Sequence, residues 1–231
     1  MPDEMLMVVE GYENLVALQR RSCIVMPNHS SALDPFILNG HGLIAPKYIF
    51  KRSLILQFPP IFLLAWAYGH IPINRSNRES AIKSLHGAAK RIQKYNRAIG
   101  IFPEGTRSKD GQLLPFKRGG FHLARETQAF GPGVPIGPVS IEGAHELYSP
   151  ASYSFHPDAG TVRLRMLPAI ECTESDTVDT LEKKVRDALE KAQKERKPLP
   201  HTTSGLPSFF ACLALIAVAV FELRFLYGLF F

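Results

Sequence analysis

The strongest constraint on the fold of this chain is a set of short apolar runs, each stopping abruptly at a polar segment rich in reactive side chains. Cys23-Ile24-Val25-Met26 leads through Pro27 into Asn28-His29-Ser30-Ser31-Ala32-Leu33-Asp34. Ile71-Pro72-Ile73 ends at Asn74-Arg75, and Ala98 to Phe102 stops at Pro103 before Glu104-Gly105-Thr106-Arg107-Ser108. A proline-studded fourth stretch, Val134 to Val139, leads into another strand. Runs this short read as strands. Lys47 to Phe50 and Met5 to Val9 add two more, with Glu10 to Asn14 as a turn.

Helical patterns separate the strands. Asp34-Pro35 opens one helix, with proline suited to a first helical position. Ser76-Asn77-Arg78-Glu79 has the spacing of a capping box, and the helix it predicts carries Ile82, Leu85, Ala89 and Ile92 on one face to about Tyr95. Thr177 to Lys197 is a second amphipathic helix, with a stripe of Val178, Leu181, Val185, Ala188, Leu189 and Ala192 and cations crowding its end. Strands alternating with helices predict an α/β domain whose largely parallel or mixed sheet is covered by helices on both faces. Val162, Leu164 and Met166 alternate with Thr161, Arg163 and Arg165, which predicts a half-exposed strand.

The polar ends of the runs carry the chemistry. An imidazole is a usable general base near neutral pH, and a carboxylate can hold its tautomer and stabilise the imidazolium that forms. His29 and Asp34 therefore form a candidate catalytic pair at a loop-to-helix junction, where the chain can fold the carboxylate back onto the ring. Asp34 is equally suited to cap its helix, and a carboxylate has oxygens for both roles. Arg75 and Arg107 each end an apolar run, and arginine's planar fork suits phosphate. Lys51 is a further candidate cation. Glu104 can accept hydrogen bonds or fix an arginine, and Gly105 and Thr106 shape the loop that follows it. No His-Glu-x-x-His or paired-Cys spacing is present, so no metal site is expected.

The four blocks, His29 to Asp34, Gly69 to Arg75, Ile101 to Ser108 and Val134 to Val139, stand in an order that resembles the glycerolipid acyltransferase family, the lysophosphatidic acid acyltransferases in particular. The resemblance runs from about Val8 to Glu171. It implies a fatty acyl group moved from a thioester, acyl-CoA or acyl carrier protein, to the free hydroxyl of 1-acyl-glycerol 3-phosphate, forming phosphatidic acid. It implies His29 as base, Asp34 as its orienter, and Arg75 and Arg107 as phosphate holders. It calls for no cofactor beyond the thioester co-substrate. No Gly-x-Ser-x-Gly elbow occurs, which fits direct transfer, although Ser30 and Ser31 beside His29 leave a serine intermediate open. Another lysophospholipid or glycerol 3-phosphate as acceptor, and a catalytically idle lipid-binding protein, are the competing readings.

Charge and tail bear on partners. The formal net charge of +6 fits a membrane surface, a phosphorylated lipid or a nucleotide-bearing thioester, and no nucleic-acid-binding motif is present. Cys23, Cys172 and Cys212 are odd in number and far apart, as expected of buried apolar residues in a reducing, cytoplasmic setting. Residues 1–200 read as the catalytic domain, 201–208 as a linker and 209–231 as a hydrophobic tail. The tail is long enough to enter a bilayer, spanning or re-entrant, despite Glu222 and Arg224; a buried helix is the alternative. The residues before the His29 block are too polar to span, so attachment is expected at the carboxyl end, with the catalytic part facing the cytoplasm.

Overall fold

The computed structural model describes residues 7–19, 21–40, 46–57, 59–74, 76–152, 154, 156 and 161–198. The predicted linker and hydrophobic tail lie outside these residues, as does Arg75. The elements are β1 (Met7–Glu10), α1 (Tyr12–Gln19), β2 (Cys23–Pro27), α2 (Asp34–Gly40), β3 (Lys47–Lys51), α3 (Leu54–Gln57), α4 (Pro59–Ala67) and β4 (Ile71–Ile73). There follow α5 (Arg78–Tyr95), β5 (Ala98–Gly100), α6 (Gly119–Glu126), a 3₁₀ turn (Thr127–Phe130), β6 (Ile136–Glu142), α7 (Ala144–Leu147), β7 (Val162–Met166) and α8 (Val178–Lys194).

Among the described residues the strands form one sheet in the order β1-β7-β6-β2-β5-β3-β4. From β6 to β4 every neighbouring pair is parallel; β7 runs antiparallel to β6, and β1 runs parallel to β7. The sheet is therefore mixed. Side chains of a strand alternate between faces, and β2 shows the consequence. Cys23 and Val25 join Leu15, Leu18, Ile37 and Leu38 of α1 and α2 in one core. Ile24 and Met26 join Ala89 and Ile92 of α5, Phe121 of α6 and Leu181 and Val185 of α8 in the other. A sheet covered on both faces must be apolar on both, which is why β2 and β6 are buried at every position.

Three local expectations are corrected. The segment read as a turn from Glu10 is one only at Gly11, whose φ is +73°; α1 begins at Tyr12. The cap of α5 is Asn77 rather than Ser76: the Asn77 side chain accepts the Ser80 N–H at 2.8 Å, while the Ser76 hydroxyl donates to Asn74. Strand β7 is buried rather than half exposed, because its arginines are enclosed in an ion network. Arg163 Nη1 lies 3.0 Å from Glu142 Oε2 and also donates to the Lys197 carbonyl, and Arg165 Nε lies 2.8 Å from Glu10. Buried charge persists where it is paired and hydrogen-bonded in this way.

Candidate active site

Four adjacent parallel strands, β2, β5, β3 and β4, point their carboxyl ends to one edge of the sheet. In open α/β sheets ligands bind at that edge. His29 follows β2, the Glu104-to-Ser108 loop follows β5, and Lys51 closes β3. One edge thus gathers residues scattered along the sequence.

The His29 loop is anchored from below by Asn28. Its side-chain amide donates to the Ile141 carbonyl at 3.0 Å and its carbonyl accepts the Ile141 N–H at 2.7 Å, so it continues the β2–β6 pairing one residue beyond the strand. Ser31 ties the far side of the loop down, donating to the Tyr148 carbonyl at 2.8 Å.

His29 Nδ1 lies 2.8 Å from Asp34 Oδ2. The same oxygen accepts the backbone N–H groups of Ser30 at 2.7 Å and Ser31 at 2.9 Å. The fold-back expected from the spacing is present, but Asp34 does not cap its own helix by its side chain; it turns backward onto the loop before it. The first turn of α2 closes instead on the Leu33 carbonyl, which accepts from Phe36 and Ile37. An oxygen that already accepts two N–H groups calls for a third donor, which assigns the proton to Nδ1 of His29 and leaves Nε2 with a free lone pair. Asp34 is fully buried whereas the imidazole is partly exposed, so the ring is fixed from behind and open in front.

Glu104 takes a position that its sequence context did not suggest. It is 1% exposed and bonds neither an arginine nor open solvent. Its Oε1 accepts the backbone N–H of His29 at 2.7 Å and its Oε2 that of Leu114 at 2.9 Å. Burial pushes its carboxyl up to about 7; the two N–H groups offset this only in part, and the Asp34 charge adds to it. The Ser108 N–H donates to the His29 carbonyl at 2.8 Å. Glu104 and Ser108 thus clasp the His29 backbone from both sides, and Gly105, Thr106 and Arg107 form the short span between them. Gly105 has φ +68°, which suits glycine at this turn. Thr106 is exposed and Arg107 half-buried.

A column of rings backs the site. The His29 ring stacks on Phe102 with centroids 3.9 Å apart, Phe102 on Tyr48 at 5.7 Å, and Tyr48 on His70 at 5.9 Å. Gly100 makes room for this: a Cβ there would stand 2.5 Å from the Tyr48 ring. His70 Nδ1 accepts the Tyr48 N–H at 2.9 Å, and burial, with Lys47 nearby, lowers its basicity. Sequence reasoning gave no role to Phe102, Tyr48 or His70; the only signal was aromatic residues at the ends of strands. Cys23 is buried in the core, its thiol pushed up to about 12 by burial, which leaves it unreactive.

Lys51 ends β3 exposed, paired in register with Ile73, the last residue of β4. It shares the edge with His29 but makes no contact with it among the described residues.

Comparison with known proteins decides the family. Residues 7–142 match the protein family described as Acyltransferase, more than half of the chain. The chain belongs to the acyltransferase family. This acyltransferase-family chain is 34% identical over 167 residues to a 1-acyl-sn-glycerol-3-phosphate acyltransferase of Limnanthes douglasii, covering 72% of itself and 56% of that protein. It is 33% identical over 192 residues to the enzyme of the same name from Saccharomyces cerevisiae, covering 81% and 59%. The crystal structure of the 1-acyl-sn-glycerophosphate acyltransferase PlsC from Thermotoga maritima superposes with a TM-score of 0.65 at 29% identity, over 84% of this chain and 73% of that one. The chain spans a little over half the length of the Limnanthes and Saccharomyces enzymes.

Proposed function

We propose that this chain transfers a fatty acyl group from a thioester donor, acyl-CoA or acyl carrier protein, to the free hydroxyl of 1-acyl-glycerol 3-phosphate, giving phosphatidic acid for phospholipid synthesis. The observation that carries the reading is the buried Asp34 carboxylate holding Nδ1 of a His29 ring that is itself partly exposed. The names of the relatives support the choice of acceptor.

The steps balance. His29 Nε2 removes the acceptor hydroxyl proton as the oxygen attacks the thioester carbonyl carbon. The tetrahedral intermediate collapses, a C–O ester bond remains, the C–S bond breaks, and Nε2 returns the proton to the departing thiolate. Asp34 stabilises the transient imidazolium and prevents the tautomer flip that would occupy Nε2. Arg107, Lys51 and Arg75 hold the acceptor phosphate; Arg107 is within three residues of Glu104, which itself bonds His29. Gly105 and Thr106 let that loop close on the headgroup. Holding the two substrates in line replaces a bimolecular encounter by a local one.

The reading extends to location. Among the described residues no helix is long and apolar enough to cross a membrane. We assign membrane attachment to residues 209–231, with the catalytic domain on the cytoplasmic side, on the strength of their apolar run and of Lys191, Lys194 and Lys197 before it.

Incubating the full chain with a long-chain acyl-CoA or acyl carrier protein and a panel of lysophosphatidate, lysophosphatidylcholine and glycerol 3-phosphate, with products identified by mass spectrometry, tests it. Phosphatidic acid as the dominant product is expected. Acylation of a different acceptor in preference would overturn the substrate assignment.

A further inference from the structure

Helices α3 and α4 form the least protein-like surface of the described structure. From Leu54 to Tyr68 the sequence contains no charged residue, and α4 reads Pro-Pro-Ile-Phe-Leu-Leu-Ala-Trp-Ala. A helix apolar on every side is ordinarily enclosed by protein or lipid. Here none of the described residues from 54 to 68 is buried. Leu56 is 85% exposed, Leu64 62%, Trp66 59% and Tyr68 72%. They lie on α3, on α4 and one residue past it; the two helices pack against each other, and Phe62 of α4 meets Phe50 of β3 with ring centroids 5.1 Å apart. Exposed apolar surface concentrated on two packed helices marks an interaction site.

The surrounding charge says what covers it. Between Asp34 and Glu79 the sequence holds Lys47, Lys51, Arg52, Arg75 and Arg78 and not one acidic residue. Lys51 and Arg52 are exposed directly ahead of α3, and Lys47 Nζ lies 6.0 Å from the centre of the Tyr68 ring. Exposed apolar side chains, a tryptophan and a tyrosine among them, with cations close by match an anionic lipid surface, where aromatic rings sit at headgroup level and lysines pair with phosphates. A nine-residue helix is only ~14 Å long, less than half of a ~30 Å hydrocarbon core, so it lies in one leaflet and does not cross. α3 starts three residues after Lys51, at the sheet edge that carries His29.

We propose that α3 and α4 dock the catalytic domain onto the anionic face of a bilayer, independently of the hydrophobic tail, and so set the site at the level where an amphiphilic acceptor presents its headgroup. The docking stands on the patch itself; its kinetic consequence rests on the acyltransfer reading above.

Trp66 is the sole tryptophan of the chain, so its fluorescence reports this surface alone. The full chain is reconstituted in vesicles of phosphatidylcholine with a minority of phosphatidylglycerol, with or without brominated acyl chains. Quenching of Trp66 by the bromolipid, weaker in Arg52→Gln or in vesicles of phosphatidylcholine alone, is the expected result. Absence of bromolipid quenching while the chain remains in the vesicles overturns the proposal. That holds whether Trp66 is then open to aqueous iodide, shielded by a second copy as protein is added, or shielded by residues 209–231. The kinetic arm compares Leu56→Gln/Leu64→Gln with the parent. Turnover of vesicle-borne acceptor is expected to fall by about tenfold or more, from the burial that two leucines lose, with turnover of a short-chain, monomeric lysophosphatidate unchanged. Equal loss on both acceptors overturns the kinetic consequence. Quenching without turnover on any acceptor leaves the docking standing and removes the acyltransfer reading instead.

Discussion

Glu104 Oε1 accepts the backbone N–H of His29 at 2.7 Å, across 75 residues of sequence. A carboxylate that is 1% exposed therefore holds the main chain of the candidate base rather than its ring or a substrate. Asp34 fixes the imidazole, Glu104 fixes the loop that bears it, and the Asp34 charge adds to the cost of ionising the buried Glu104.

This brace has a pH signature. The carboxyl of Glu104 sits at about 7 in the folded chain against 4.5 for the free group. Between those values the folded state holds the proton that the unfolded state has lost, so stability falls as pH rises through the interval and levels off above it. Glu104→Gln cannot titrate. Urea unfolding from pH 4.5 to pH 8 should show the parent losing about 3 kcal/mol relative to the variant across this range. A constant difference between the two would refute the burial argument. At every pH the variant should turn over more slowly, since an amide offers one acceptor where two N–H groups need one each.

Asp34→Asn should leave the fold intact and remove turnover. The amide would present an N–H to Nδ1, drive the imidazole proton to Nε2 and take away the lone pair the acceptor hydroxyl needs. A fall of ~10²–10⁴-fold in kcat with acceptor KM little changed is expected by steady-state kinetics. Parent-like kcat would exclude the orienting role.

Arg107→Lys keeps the charge and loses the planar fork. If Arg107 grips a phosphate through two N–H groups, acceptor KM should rise about tenfold while the KM for acyl-CoA stays near the parent value. Equal rises in both constants would argue for a general loosening of the loop.

The ion network on β7 is a separate test of stability far from the chemistry. Arg163→Met leaves Glu142, a buried neighbour 3.0 Å away, without its main partner. A loss of about 3–5 kcal/mol in unfolding free energy is expected from denaturant titration. A neutral or stabilising result would mean that Arg196, which stands 3.8 Å from the same carboxylate, takes over the pairing.

Where an element follows from local pattern, it was legible in the sequence. β2 is an unbroken apolar run, β6 begins in the proline-studded apolar stretch at Ile136, and α5 and α8 carry three-and-four spacing over several turns. α1 was not legible: it is short, and among its described side chains only Leu15 and Leu18 are buried. β7 misled because alternation of arginine with aliphatic residues implies water on one face, and nothing in the local sequence announces that Glu142 and Glu10 supply the counter-charge. The same distinction holds in the site. His29 and Asp34 lie five apart, so their contact follows from spacing. Glu104 meets His29, and Phe102 stacks on it, only because β2 and β5 are neighbours in the sheet, which is a property of the whole topology.

The most direct measurement is thiol release from a long-chain acyl-CoA by the full chain in detergent, with and without lysophosphatidate, beside His29→Ala. Release that depends on the acceptor and falls by ~10²–10⁴-fold in the variant is the expected result for base-catalysed transfer. Release that ignores the acceptor and survives the substitution would contradict it.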